Sequence, residues 1–96
     1  MRARYRAAAV ADIAAIYLYL EQRSAGAAAG VIRSIYEAIA GVAVAPNAAE
    51  RTDDPSVRLK IVTKFRYKIF YSIIDEKTVE ILHVRHTSRR PWGAKR

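Results

Sequence analysis

The first half of the chain repeats apolar residues at helical spacing. Between Ala8 and Arg23 the repeat carries Asp12 near its start, where the positive end of a helix dipole favours a carboxylate. The apolar positions of this repeat are Val10, Ile13, Ile16, Tyr17 and Leu20. The pattern predicts a first helix.

A second apolar stripe follows after a short break. Ser24 is a suitable cap for a helix that begins within residues 25–29, and Pro46 marks its end. The stripe consists of Ala28, Val31, Ile32, Ile35, Tyr36, Ile39 and Val42. Two helices joined by so short a connection are expected to pack antiparallel, because neither can bury its apolar stripe alone.

The period changes to two beyond a loop at residues 47–55. Alternating residues predict strands over 57–61, 66–73 and 79–86, with a hairpin turn at 75–78. The alternation from Arg2 to Arg6 predicts a short edge strand at the N-terminus. The expected fold is therefore α+β, in the order β-α-α-β-β-β, with a helical hairpin packed on a small antiparallel sheet of three to four strands.

Length and residue usage limit the class of protein. A chain of 96 residues supports one domain, spanning residues 1–96. Cysteine is absent, and the sequence contains neither metal-ligand spacing nor a Gly-rich phosphate loop, so we expect no disulfide, metal or cofactor. The lack of a signal-peptide pattern or a long uncharged run indicates a cytoplasmic protein that does not bind a membrane.

The charge of the chain points to an acidic partner. Seventeen Lys and Arg against nine Asp and Glu give a formal net charge of +8, which is large for a single small domain. Nucleic acid, a ribosome and an acidic protein segment all match this charge. The geometry of the charged side chains has to distinguish among them.

Strand parity predicts which side chains share a face, because successive side chains point to opposite sides of a sheet. The apolar set expected to face the helices is Leu59, Ile61, Tyr67, Ile69, Tyr71, Leu82 and Val84. The set expected on the other face is Arg58, Lys60, Arg66, Lys68, His83 and Arg85. The sequence therefore predicts a basic face on the side that the helices leave open.

An ordinary solvated face is the alternative interpretation, since lysine and arginine are common surface residues. Such a face usually mixes charges of both signs, whereas this one carries a single acidic residue, Glu76 or Glu80 depending on register. Like charges on adjacent strands repel, which favours a recognition surface.

Residues beyond the last strand extend this candidate surface. Arg89, Arg90 and Trp92 are of the types that often anchor interfaces, and an aromatic ring also stacks on bases. Trp92 has the alternative of folding back over the edge of the core. Four tyrosines on apolar stripes are expected in the core: Tyr17, Tyr36, Tyr67 and Tyr71.

The two histidines are not expected to act as a pair. His83 and His86 are three residues apart on one predicted strand, a spacing that places them on opposite faces.

Several segments of the chain together form a recognisable pattern: Val57-Arg58-Leu59, Tyr67-Lys68-Ile69-Phe70-Tyr71-Ser72-Ile73, Val79-Glu80-Ile81-Leu82-His83-Val84-Arg85-His86, Arg89-Arg90-Pro91, Ala11-Asp12-Ile13 and Tyr19-Leu20. These segments resemble those of RelE/ParE toxins of type II toxin–antitoxin pairs. Their order agrees with two helices followed by three strands. The chain departs from the family at Lys68, where arginine is common, and in the loop after the second helix, where only Arg51 remains of a frequent Gly-Arg pair.

The resemblance implies one of two targets. RelE-like members are ribosome-dependent ribonucleases that cut mRNA, whereas ParE-like members inhibit DNA gyrase without nuclease activity. Arg58, Lys60 and Lys68 match basic positions with which the nucleases hold RNA. His86 lies close to the histidine of one nuclease branch, but Thr87 replaces the tyrosine expected beside it. His86 is thus the catalytic candidate only if the protein is a nuclease, and otherwise a strand-end histidine bonded to backbone.

The favoured hypothesis is a ParE-like, non-enzymatic toxin that inhibits DNA gyrase and is neutralised by a cognate antitoxin. The residues expected to bind the target are Arg58, Lys60, Arg66, Lys68, Arg85, Arg89, Arg90 and Trp92. One alternative is a RelE-like endoribonuclease that acts on mRNA at the ribosome, and another is a small basic nucleic-acid-binding module. For either toxin, the antitoxin is expected to wrap a helix or strand around the domain and to place acidic residues on the basic face.

Overall fold

The computed structural model describes residues 1–87, and two helices in it pack against a five-stranded sheet. In chain order the elements are β1 (Arg2–Tyr5), α1 (Ala7–Glu21), α2 (Ala25–Val44), β2 (Glu50–Arg51), β3 (Arg58–Val62), β4 (Tyr67–Asp75) and β5 (Thr78–His86). The strand order across the sheet is β1-β5-β4-β3-β2. The predicted α+β class, the helical hairpin and the N-terminal edge strand are confirmed.

The sheet differs from the expected one in strand number and direction. β1 runs parallel to β5, while the other neighbouring strands are antiparallel, so the sheet is mixed. β2 pairs Glu50 and Arg51 with β3 inside the segment predicted as a loop. A strand of two residues is too short to show alternation, and the direction of β1 depends on how the helical hairpin returns the chain to the sheet. Neither feature is encoded locally.

The helix boundaries follow the predicted signals closely. Ser24 caps α2, because its side-chain oxygen accepts a hydrogen bond from Ala27 N at 3.3 Å. The helix ends two residues before Pro46, which cannot continue a helical hydrogen-bond ladder. The short connection between α1 and α2 brings their apolar stripes against the same sheet face.

The main core lies between the hairpin and the sheet. α2 contributes four buried residues to it, Val31, Ile35, Ile39 and Val42. The sheet contributes Val62, Tyr67, Ile69, Tyr71, Val79, Ile81 and Val84. Within residues 1–87, α2 is the one helix long and apolar enough to cross a membrane by length and composition, a criterion that core helices of soluble proteins also meet.

A smaller apolar cluster lies on the other side of the sheet. Val57, Phe70 and Leu82 are all buried there, and Leu59 packs against them. Both faces of the sheet therefore bury apolar side chains.

Two of the four tyrosines expected in the core are found there. Tyr67 and Tyr71 are buried, whereas Tyr36 is 46% exposed and Tyr17 is half-buried. The Tyr17 hydroxyl donates to Glu21 one turn further along α1, at 3.2 Å. The helical stripes are wider than the surface that the sheet covers, so residues at their margins remain at the protein surface.

Candidate functional site

The register of β3 overturns the predicted basic face. Arg58 pairs with Tyr71 and Lys60 pairs with Ile69, and directly paired residues of an antiparallel ladder share a face. Tyr71 and Ile69 belong to the main core, so Arg58 and Lys60 lie on the helix side of the sheet. The prediction that they point away from the helices is wrong.

The apolar residues of β3 are correspondingly on the open side. Leu59 pairs with Phe70 and Ile61 pairs with Lys68. Leu82 likewise joins Phe70 in the smaller cluster instead of facing the helices. Apolar side chains mark the helix-facing side only where the other face is polar, and this sheet buries apolar residues on both faces.

The Arg58 side chain contacts the loop that follows α2. Its guanidinium donates to the carbonyl oxygens of Asn47 and Ala49, each at 3.4 Å, in the loop that follows α2. The Tyr71 hydroxyl donates to Pro46 O in the same loop. Burial raises the pKa of Tyr71, and the positive charge of Arg58 partly opposes that rise. The two side chains together hold the α2–β2 loop against the sheet.

Two of the predicted basic residues remain together at one end of the open face, and a third lies in the adjoining turn. Lys68 on β4 lies directly opposite Arg85 on β5, and both are half-buried. Arg66 precedes them in the β3–β4 turn, where its φ of 62° is in the left-handed region. Side chains directly opposite each other in an antiparallel pair approach to about 5 Å, so Lys68 and Arg85 concentrate positive charge at one place.

β1 adds cations that strand parity within the C-terminal half does not reveal. Arg4 and Arg6 form ion pairs with Glu80 of β5 at 3.4 and 3.2 Å. The side chain of Arg4 is 59% exposed, whereas that of Glu80 is 15% exposed, so the arginines present most of their surface to solvent. The alternation of arginine with Ala3 and Tyr5 signals a strand, but nothing in it specifies that this strand joins β5.

The two histidines lie on opposite sides of β5, as predicted. His86 pairs with Tyr67 of the main core, and its ring meets the Tyr67 ring edge-on at 5.3 Å. His83 pairs with Phe70 of the smaller cluster. The Nδ1 atom of His83 lies 3.0 Å from a carboxylate oxygen of Asp12.

Asp12 makes polar contacts that the sequence did not reveal. Its Oδ2 atom, which lies beside His83, also accepts a hydrogen bond from Val84 N at 2.9 Å. β1 pairs with β5 only as far as Tyr5 opposite Ile81, so Asp12 satisfies an edge donor beyond the end of β1. Asp12 lies beyond the first turn of α1, so the helix dipole does not explain its position as predicted, and its contact with β5 does.

The remaining predictions concern the C-terminal residues and a possible metal site. Arg89, Arg90 and Trp92 lie outside the described residues. Within residues 1–87, no group of three or more His, Asp or Glu side chains has a geometry suited to a metal ion.

Comparisons with known proteins place this arrangement beside toxin–antitoxin systems. The family model of the ParE toxin of the type II toxin–antitoxin system parDE matches residues 3–91. A solved chain described as "Chromosomal ParDE TA system from P. aeruginosa" is similar, with a TM-score of 0.75 and 24% sequence identity over 90% of this chain and 95% of that chain. No curated protein sequence matches this chain.

Proposed function

Because the chain belongs to the ParE toxin family of type II toxin–antitoxin systems, we propose that it inhibits growth by binding DNA gyrase and is neutralised by a cognate antitoxin. The proposed site of action is the cytoplasm, where gyrase works. The proposed activity is binding without catalysis.

The observation that carries this proposal is the separation of Arg58 and Lys60 from Lys68. An RNA-cleaving site of the RelE type would need these cations around one phosphate, since their role is to stabilise charge that develops there. Register places Arg58 and Lys60 on the helix side and Lys68 on the open side. Arg58 is also engaged by the α2–β2 loop.

The position of His86 also favours a binding protein over a nuclease. Its ring packs edge-on against Tyr67, a residue of the main core, and lies on the opposite side of the sheet from Lys68. A general acid or base has to lie within hydrogen-bond distance of the atom that gains or loses the proton. His86 and Lys68 therefore do not converge on one substrate atom.

The surface proposed to bind the target is the cationic end of the open face, formed by Lys68, Arg85 and Arg66. Clustered cations attract an acidic surface and accelerate its association, and the attraction weakens as salt screens it. Binding of the target is therefore expected to weaken with increasing ionic strength.

The surface proposed for the antitoxin includes the outer side of α1. Val10 and Leu18 on this helix are each more than half exposed, although the helix is apolar on its core side as well. A helix that is apolar all round is normally covered on all sides. An amphipathic helix of the antitoxin fits this surface, because apolar anchors at helical spacing can lie along it.

The decisive experiment compares two activities of the purified protein. Inhibition of DNA supercoiling by gyrase is measured in parallel with cleavage of mRNA on programmed ribosomes. We expect supercoiling to be inhibited and mRNA to remain intact. Cuts positioned by codons would replace this proposal with the endoribonuclease alternative.

Charge reversal tests the proposed target surface. Lys68→Glu combined with Arg85→Glu is expected to reduce gyrase inhibition about tenfold, because the two charges lie directly opposite each other in the cationic end. The control is Arg33→Glu combined with Lys77→Glu, which changes the net charge equally at exposed positions elsewhere. Equal losses in the two double variants would show that only net charge matters.

A further inference from the structure

The turn between β3 and β4 contains a backbone conformation that is costly for its residue. Arg66 has a φ of 62°, and within residues 1–87 it is the one residue other than glycine with a positive φ. In this region the Cβ atom of an L-residue crowds the backbone, which glycine avoids. Residues held in such conformations cluster at binding and active sites. The strain therefore makes Arg66 a candidate for function.

Two backbone hydrogen bonds hold Arg66 in this conformation. Its N–H donates to Val62 O at 2.9 Å, which closes the turn, and its carbonyl oxygen accepts from Thr87 N at 2.8 Å. The second bond fastens the turn to the chain at the end of β5. Both bonds use backbone atoms alone, so they do not require arginine at this position. Glycine would make them at a lower conformational cost.

The Arg66 side chain does not offset the strain. It is exposed, and among residues 1–87 it makes no hydrogen bond, ion pair or ring contact. Its planar set of donors matches the oxygens of a phosphate or a carboxylate. A strained arginine whose side chain gains nothing within the described part of the protein points to an anion on another molecule.

The strand ends that meet at this turn carry cations and no carboxylates. Lys64 is exposed in the turn, and Lys68 and Arg85 lie opposite each other just beyond it. Residues 62–69 and 83–87 contain no Asp or Glu. We refer to Lys64, Arg66, Lys68 and Arg85 as the cationic tip. Four cations so close together favour a partner with several negative charges.

The kind of partner follows from the apolar surface that the cationic tip lacks. Protein interfaces usually draw much of their affinity from large aromatic or apolar anchors. Within residues 57–73 and 78–87, no large apolar side chain is exposed. A phosphodiester backbone needs no such anchor, because cations alone supply most of the binding free energy. The cationic tip therefore fits nucleic acid better than an acidic protein surface.

We propose that the cationic tip contacts the phosphate backbone of the duplex DNA on which gyrase acts, with Arg66 as its central contact. The strained turn fixes the point from which the Arg66 side chain extends. This inference rests on the proposed function, since it assigns the DNA of the gyrase–DNA complex to the cationic end of the open face. DNA binding and gyrase inhibition are separate measurements, so either can fail alone.

The first experiment measures binding of the full chain to a short fluorescein-labelled DNA duplex, without gyrase, at several salt concentrations. The slope of log K against log salt is about −0.9 for each phosphate neutralised. Arg66→Ala is therefore expected to weaken binding and to make the slope shallower by about one. Arg33→Gln removes the same charge from α2 and is the control. An equal change of slope in both variants would overturn the assignment to Arg66.

Comparison of Arg66→Gly with Arg66→Ala separates strain from charge. Both variants lack the guanidinium, so both are expected to lose DNA binding equally. In urea unfolding the glycine variant should be the more stable of the two, because alanine keeps a Cβ atom at a positive φ. Arg33→Gly and Arg33→Ala are the control, since alanine is the better residue within a helix. If alanine is also more stable at position 66, the strain that singles out Arg66 is absent.

The supercoiling assay connects the DNA contact to gyrase inhibition. Arg66→Ala is expected to raise the concentration for half-inhibition about threefold to tenfold, through loss of a charged contact. Arg66→Lys should lose less, because it keeps the charge but not the planar set of donors. A lysine variant as weak as the alanine variant would show that charge at this position does not contribute.

The two binding measurements distinguish the remaining outcomes. Unchanged DNA binding by Arg66→Ala would overturn the inference. If that variant also inhibits gyrase less, the anion lies on the gyrase protein and not on DNA. DNA binding that depends on Arg66, without any gyrase inhibition by the parent, would overturn only the proposed function.

Discussion

At the residue scale, one carboxylate joins α1 to the part of β5 that β1 leaves unpaired. Asp12 Oδ2 contacts both His83 Nδ1 and Val84 N, at 3.0 and 2.9 Å. The Val84 N–H lies at a strand edge, and a partly buried backbone donor without an acceptor is costly. Asp12 therefore stabilises the fold by satisfying this donor.

Replacement of Asp12 tests that role. Asp12→Ala is expected to lower the free energy of unfolding by about 1 to 3 kcal/mol, because the Val84 N–H loses its acceptor. Asp12→Asn should lose less, since its amide oxygen can still accept that bond. Urea unfolding at neutral pH measures both, with exposed Asp53→Ala as the control. A loss equal to that of the control would exclude a stabilising contact.

A second residue-scale prediction concerns stability at alkaline pH. Burial raises the pKa of Tyr71 above its ordinary value of 10.0, and it also raises the pKa of Tyr5 and Tyr67. Above pH 10.0 the unfolded chain loses these protons first, so the native state binds more protons than the unfolded state. Stability is therefore complete below that pH and falls as the pH rises through the native pKa values.

Tyr71→Phe removes one contributor to this alkaline loss. At neutral pH the variant is expected to lose about 0.5 to 1.5 kcal/mol of stability with the hydrogen bond to Pro46 O. Its stability should then decline less steeply than that of the parent as the pH rises from 9 to about 11. Denaturant unfolding across this range measures both effects. Parallel declines would show that the Tyr71 hydroxyl titrates alike in both states.

At the element scale, the sequence predicted the helices better than the sheet. Ser24 and Pro46 bound α2 because capping and the missing proline N–H act locally. The local sequence does not determine which face of the sheet each β3 side chain occupies, since Leu59 and Ile61 could have joined either of two apolar surfaces. The family resemblance was carried by segments whose order survives this error, which explains why the fold prediction held while the basic face did not.

Arg58 and Lys60 lie on the same face of β3, but they are expected to differ in their contribution to stability. Arg58→Ala is expected to destabilise the protein by about 1 to 2 kcal/mol, because the Asn47 and Ala49 carbonyls lose a charged donor. Lys60→Ala should stay within about 0.5 kcal/mol, as is usual for an exposed side chain. Thermal and denaturant unfolding compare the two. Equal stability of both variants would remove Arg58 from the support of the α2–β2 loop.

At the scale of the whole molecule, apolar side chains lie in three places and not in one core alone. The hairpin and sheet enclose the main core, the open side holds a smaller cluster, and the outer side of α1 exposes Val10 and Leu18. Exposed apolar side chains on a helix that is also apolar on its core side are a feature of surfaces that bind a partner. The net charge of +8 opposes self-association at the same time. The free protein therefore combines an apolar surface that favours contact with a charge that favours separation.

This balance predicts how surface substitutions on α1 behave. Val10→Lys combined with Leu18→Lys is expected to change the free energy of unfolding by no more than about 0.5 kcal/mol per site, because both side chains are more than half exposed. The double variant should self-associate less at high salt, where charge repulsion is screened, as measured by sedimentation. Ala29→Lys combined with Ala40→Lys adds the same charge on exposed positions of α2 and is the control. High salt screens the added charge in both variants. Weaker self-association of the α1 variant alone would therefore assign the attraction to its apolar surface. Equal self-association of the two variants would assign the effect to charge.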